Sequence, residues 1–137
     1  MTNRKSYRIN KAGSFKRLKL VEEKIDAPKS GEVQIKVHAI GLNFADIFAI
    51  LGLYSATPQN SFIPGLEYAG EVIEVGDKVK EFKAGDRVMG VTRFGAYTSH
   101  INIDTTYISP IPEGWSYDEG ASFLVQALTA YYGLFYL

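Results

Sequence analysis

The chain predicts a mainly β fold, a barrel or a sandwich, on three observations. Glu32-Val33-Gln34-Ile35-Lys36-Val37-His38-Ala39 alternates polar and apolar residues with a period of two, the pattern of a half-buried strand. Short alternating or β-branched runs of this kind recur along the chain with glycine-containing turns between them. Helical spacing is confined to two places, after Gly41 and near the end of the chain.

Taken in order, strands are predicted over Ser6–Ile9, Leu18–Lys24, Glu32–Ile40, Tyr68–Val75, Arg87–Thr92 and Tyr97–Ile103. Lys29-Ser30-Gly31, Gly76-Asp77-Lys78, Ala84-Gly85-Asp86, Phe94-Gly95 and Pro110-Ile111-Pro112-Glu113-Gly114 punctuate them. Gly41 ends the third strand. Ile47, Ile50 and Leu51 then fall at helical spacing before Gly52, so Asn43 stands on a strand-to-helix corner. A second helix is expected from about Tyr117: Ser116-Tyr117-Asp118-Glu119 reads as a capping box with both acids in the first turn, where the helix dipole favours them.

Bulk composition narrows the function. Fifteen basic and fifteen acidic residues cancel, leaving no global field to draw in nucleic acid or an anionic membrane. The basic residues Arg4, Lys5, Arg8 and Lys11 read as a solvated end of the chain. With no cysteine there is no disulfide, no thiolate nucleophile and no sulfur-ligated zinc, which suits a reducing, cytoplasmic setting. Residues 1–20 carry no apolar signal core. From Ala121 to Leu137 no charge appears, but Gln126, Thr129 and Gly133 interrupt the run, so a helix covered by protein is expected rather than a membrane span. Left uncovered, that helix would favour self-association.

Four motifs occur in a family-specific order: Gly41-Leu42-Asn43-Phe44-Ala45-Asp46, Gly65-Leu66-Glu67-Tyr68-Ala69-Gly70, Ala84-Gly85-Asp86-Arg87-Val88-Met89, and Thr129-Ala130-Tyr131. In this order they resemble the substrate-side half of the medium-chain dehydrogenase/reductases, and within them the zinc-free quinone oxidoreductase branch that includes the synaptic vesicle amine-transport proteins. The resemblance implies a GroES-like, partly open β-barrel over residues 1–115. It also implies a helix over 116–137 that leads toward a nucleotide-binding domain beyond the chain, so that the chain reads as a fragment. NADP(H) would then be held mainly by that domain, and the substrate would be a small quinone or α,β-unsaturated carbonyl.

The residues agree with that division. No Gly-x-Gly-x-x-Gly is present, and Gly65 and Gly70 flank a strand rather than a turn into a helix that could hold a pyrophosphate. A catalytic zinc needs about three ligands from Cys, His or carboxylate. The positions that supply them in the zinc-dependent relatives are Asn43, Leu66 and Val125 here, so no zinc is expected. His38 and His100 lie on strands with no serine or aspartate at triad spacing and read as structural histidines. Glu67 matches the family's Gly-x-Glu acid; it either fixes loop geometry from a buried position or takes part in chemistry.

Reduction by a nicotinamide asks for alignment, exclusion of water and stabilisation of a carbonyl oxygen. An amide and a phenol can donate to an oxyanion without ionising. The resemblance therefore puts Asn43 and Tyr54 in the catalytic role, and Asn43 and Thr129 against the nicotinamide. Phe48 stands where relatives often carry a further tyrosine. Each residue also has a plainer role: Asn43 as a helix N-cap, Tyr54 as a packed loop aromatic, Thr129 as part of a helix interface. Three functions remain open at this point: an oxidoreductase, a binding or structural protein that has kept the fold without turnover, and an inert, self-associating fragment.

Overall fold

In a computed structural model that describes residues 1–137, the alternating segments form seven strands: β1 Thr2–Ile9, β2 Leu18–Ile25, β3 Glu32–Gly41, β4 Glu67–Val75, β5 Arg87–Val91, β6 His100–Asp104 and β7 Ile108–Pro110. Three helices complete the chain, α1 Phe44–Leu51, α2 Tyr117–Ala121 and α3 Leu124–Phe135. β1 and β2 make an antiparallel hairpin. The other strands form one antiparallel sheet in the order β6-β3-β4-β5-β7. Single bridges, Ser6 to Thr98 and Ile9 to Phe62, tie the hairpin to segments beside that sheet. The result is a mainly β, partly open barrel.

Alternation explains the inside of this sheet. Val33 and Ile35 of β3, Tyr68 and Val72 of β4, Val88 of β5 and Ile101 of β6 pack into one apolar core. At ~25 cal/mol per Å2 such burial is the main favourable term in folding. The alternation is less strict than the sequence suggests, because Gln34 is fully buried on the nominally polar face. Its amide nitrogen donates to the Asp26 carbonyl and to Asn102 Oδ1, which offsets part of the cost of burying it, while its Oε1 has no partner. A second cluster, Ile9, Ala49, Ile50 and Phe62, seats α1 against β1. A third, Ala69, Met89, Ile111 and Ala121, seats α2 on the sheet.

Three expectations need correction. The last predicted strand begins only at His100, because Tyr97 leaves the sheet, donating its backbone N–H to Pro64 and accepting from that of Tyr7. β7 has no counterpart among the predicted strands; it is a three-residue edge strand, and Pro110 is tolerated there because an edge residue has no second strand to bond. The single helix expected from Tyr117 is two. α2 starts at the capping box, Glu119 N–H donating to Ser116 Oγ at 3.2 Å and Ser116 N–H to Glu119 Oε2 at 2.7 Å. It then stops after five residues. Ser122 Oγ turns back onto the Asp118 carbonyl at 2.8 Å, competing with the helical pattern, and the chain restarts as α3.

No residue of α3 is buried, and Leu128, Tyr131, Tyr132, Leu134 and Phe135 are exposed. No helix is long and apolar enough to cross a membrane.

Candidate functional site

The site is built where β3 ends, β4 begins and α2 gives way to α3. In the β3–β4 ladder Gly41 lies opposite Glu67. A methyl group on Gly41 would come within 2.3 Å of the Ala121 carbonyl oxygen and 2.5 Å of Glu67 Cγ. Only glycine leaves room there for the end of α2 and the Glu67 side chain to close on the strand.

Glu67 is 1% exposed, and both its oxygens are used. Asn43 Nδ2 donates to Oε1 at 3.0 Å. The Val125 backbone N–H donates to Oε2, also at 3.0 Å. Val125 is the second residue of α3, so the carboxylate serves one of the unpaired N–H groups that open every helix, where the dipole favours negative charge. Of the two roles open for Glu67 in the sequence, the buried, geometry-fixing one is what the hydrogen bonds describe.

Asn43 stands at the N-cap of α1, half-buried, with extended backbone angles. Its own N–H donates to Asp46 Oδ2 at 2.9 Å. Asp46 is 2% exposed and also accepts from the Tyr97 hydroxyl at 2.9 Å, while its Oδ1 has no partner. Burial pushes the Asp46 carboxyl above its ordinary value, against the opposing pull of those two donors. Burial likewise raises the Tyr97 phenol, and the hydrogen bond to Asp46 adds to it. Neither residue stands out from the sequence as part of a site. The Asn43-x-x-Asp46 spacing is that of a capping box and could have flagged Asp46; Tyr97 lies fifty-one positions away and has no local signal.

Beside this network Leu42, Asn43, Phe44, Ile47 and Tyr97 line an apolar cleft of about 270 Å3. With the Tyr97 hydroxyl committed to Asp46, the polar side chain left to the cleft is the Asn43 amide, which gives one of its two N–H groups to Glu67 and keeps the other. Tyr54 is elsewhere. It follows Gly52, whose left-handed backbone (φ +75°) ends α1, and it borders a separate cleft with Lys11, Thr57 and Gln59. α1 puts eight residues, roughly 12 Å of helix, between Asn43 and that cleft. Thr129 is exposed on α3, and Phe48 is half-exposed on α1. The structure thus joins Asn43 to the helix that carries Thr129, through Glu67, and leaves Tyr54 at the far end of α1.

Both histidines sit in structural settings. His38 stacks on Tyr117, ring centroids 4.4 Å apart, and Arg87 lies 4.6 Å from the same ring. His100 Nδ1 is 3.0 Å from Ser99 Oγ, and burial, with Lys36 and Arg4 nearby, holds its imidazole below the ordinary value. No group of three His, Cys, Asp or Glu side chains is placed to hold a metal ion.

An antiparallel, partly open barrel with a capped helix after β3 and a helix pair closing its end defines a GroES-like domain of the alcohol dehydrogenase type. Residues 29–113 match the family model described as the alcohol dehydrogenase GroES-like domain, and the chain belongs to that family. It is 38% identical, over 97% of its length, to the quinone oxidoreductase-like protein 2 homolog of Nematostella vectensis. Among solved structures it superimposes on the human synaptic vesicle membrane protein VAT-1 homolog-like protein with a TM-score of 0.92, at 31% identity over 98% of the chain. It also superimposes on the Escherichia coli quinone oxidoreductase complexed with NADPH with a TM-score of 0.87, at 35% identity over 98% of the chain. The chain spans 37% of the Nematostella protein and 43% and 41% of the two solved chains. The relatives it matches thus carry the names of quinone oxidoreductases and of synaptic vesicle membrane proteins.

Proposed function

We propose that this chain is the substrate-side domain of a zinc-independent, NADPH-dependent oxidoreductase that reduces quinones or α,β-unsaturated carbonyls. The observation that carries the proposal is the junction at Glu67. Two of the three positions that ligate zinc in the zinc-dependent relatives, Asn43 and Val125, here donate hydrogen bonds to one carboxylate, and the third is Leu66. An amide, a backbone N–H and an aliphatic side chain do not fit zinc's preference for imidazole, thiolate or carboxylate.

The donors that remain are uncharged and suit a nicotinamide and a neutral carbonyl. Asn43 keeps one amide N–H, and Thr129 offers a hydroxyl on the open face of α3. The reduced nicotinamide, when bound, supplies the hydride. The chain's own part is to orient the carbonyl at the Asn43 corner, to exclude water with Leu42, Phe44 and Ile47, and to donate to the carbonyl oxygen from Asn43. In this reading Tyr54 reaches the substrate from the other end of α1. The open apolar face of α3 packs on the nucleotide-binding part of the intact protein, which acts in the cytoplasm.

The test is NADPH oxidation by the intact protein, followed by absorbance, against a panel of quinones and enones. Turnover that falls about tenfold or more in Asn43→Ala, the loss of one donor to developing charge, supports the reading. Absence of turnover across the panel sinks it. Phe48, in place of a tyrosine frequent in relatives, favours a second reading, a family member that binds NADPH without reducing anything; tight NADPH binding with no turnover would select it.

A further inference from the structure

We infer that Glu67 is a positioning residue that fixes the Asn43 amide and the amino end of α3 in one frame. The inference rests on the reading above in one respect: Asn43 and Thr129 are taken to meet the same nicotinamide. The rest is geometry. A carboxylate only accepts hydrogen bonds, so Glu67 requires a nitrogen from Asn43 and thereby sets which way round the amide lies. The same side chain holds the Val125 N–H, four residues before Thr129 and therefore about one turn along α3. The residues flanking the junction leave it no slack. Gly41 has no space for a methyl group beside Glu67 Cγ, Ala121 is 2% exposed, and Glu67 itself is 1% exposed. α3 buries no residue fully; in its first turn Leu124 packs, partly buried, on the cluster of Ala69, Met89, Ile111 and Ala121. The tether to the buried carboxylate adds a directional hold on the backbone of the next residue, Val125.

Glu67→Gln tests this because it keeps the shape and changes one acceptor into a donor. The substituted amide can accept from Val125 N–H or from Asn43 Nδ2, and its new NH2 faces the other donor. The backbone N–H cannot rotate away. The Asn43 amide can, so it turns over and presents the opposite atoms. In the intact protein two readouts follow this. The side-chain amide resonances of Asn43, assigned by selective nitrogen labelling, are expected to move on E67Q while the thermal midpoint falls by only a few degrees. NADPH affinity, by fluorescence titration, is expected to weaken about tenfold, the scale of one misplaced buried hydrogen bond.

Unmoved Asn43 resonances in E67Q overturn the inference. So does an NADPH affinity within about twofold of wild type when the resonances have moved. If wild-type protein binds no NADPH, the oxidoreductase reading fails, and the resonances still decide whether Glu67 sets the amide. Should E67Q fail to fold, Asn43→Asp with Glu67→Gln exchanges donor and acceptor across the same contact. That double variant is expected to recover the wild-type thermal midpoint to within a few degrees, and its failure to do so also overturns the inference.

Discussion

Tyr97→Phe is the substitution whose cost should depend most clearly on pH. The Tyr97 hydroxyl is one of two donors to Asp46, a carboxylate 2% exposed whose second oxygen has no partner. A hydrogen bond to a charged group contributes about 1.5–3 kcal/mol, and a neutral one about 0.5–1.5. Burial already holds the Asp46 carboxyl above its ordinary value, so the folded state binds a proton that the unfolded chain gives up near 3.8. Stability from this group is therefore greatest below that value and declines as pH rises through the raised folded value. Removing the phenol takes away a donor that favours the ionised form, which lifts the folded value further and deepens the decline. The expected penalty of Y97F is about 2 kcal/mol at neutral pH, shrinking to roughly 1 kcal/mol in acid, where Asp46 is protonated in both proteins. Chemical denaturation of the two proteins at matched pH from about 4 to 8 measures it, and taking the difference at each pH cancels the titrations they share. A penalty that stays flat across that range, or that grows toward acid, refutes the assignment of Asp46 as a buried carboxylate held by Tyr97.

Gly41→Ala should cost at least the ~1–3 kcal/mol typical of overpacking, since its methyl group meets backbone at Ala121 as well as the Glu67 side chain; a thermal midpoint within about 2 °C of wild type would show that the junction is looser than drawn. Glu23 offers the opposite pH signature to Asp46. Burial would raise its carboxyl, but hydrogen bonds from Arg8 and Ser6, with the charge of Arg4, hold it below 4.5. Its contribution is thus present above 4.5 and lost as pH falls toward the lowered folded value. Glu23→Gln should accordingly flatten the acid limb of the stability curve, measured by thermal melts below pH 5, and an unchanged limb would assign acid sensitivity elsewhere.

The strands are legible in the sequence because their information is local. Val33, Ile35 and Val37 alternate toward the core whatever the rest of the chain does. The start of α2 is legible for the same reason, as Ser116 and Glu119 satisfy each other across three residues. What cannot be read depends on partners far apart in sequence. The cap on the first turn of α3 needs a carboxylate fifty-eight positions before Val125, and the seat of Asp46 needs a phenol fifty-one positions after it. The corner is half legible. Asn43 and Glu67 can be named from motif resemblance, but nothing in the spacing says that Glu67 takes one Asn43 N–H and leaves the other.

That shared carboxylate bears on how, under the proposed function, a fold of this kind would do without a metal. A zinc ion in a barrel corner both polarises substrate and cross-links the segments that ligate it. With Asn43, Leu66 and Val125 at the ligand positions a zinc cross-link would be lost, yet the segments are still joined: Glu67 ties the start of α1 to the start of α3 through two hydrogen bonds at 3.0 Å. What it does not supply is a Lewis acid. Under the proposed function the corner would offer a carbonyl only neutral donors, which argues for substrates whose reduction is already easy, quinones and conjugated enones, over simple ketones or alcohols. On that argument, Asn43→Cys with Leu66→His should create no tight zinc site, because it restores only two of the three ligand positions and the Glu67 carboxylate, a third ligand by chemistry, stays given to the Val125 N–H. Zinc retained after dialysis, measured by elemental analysis, is expected to stay at the wild-type level, and one ion held per chain would show that Glu67 leaves Val125 for the metal.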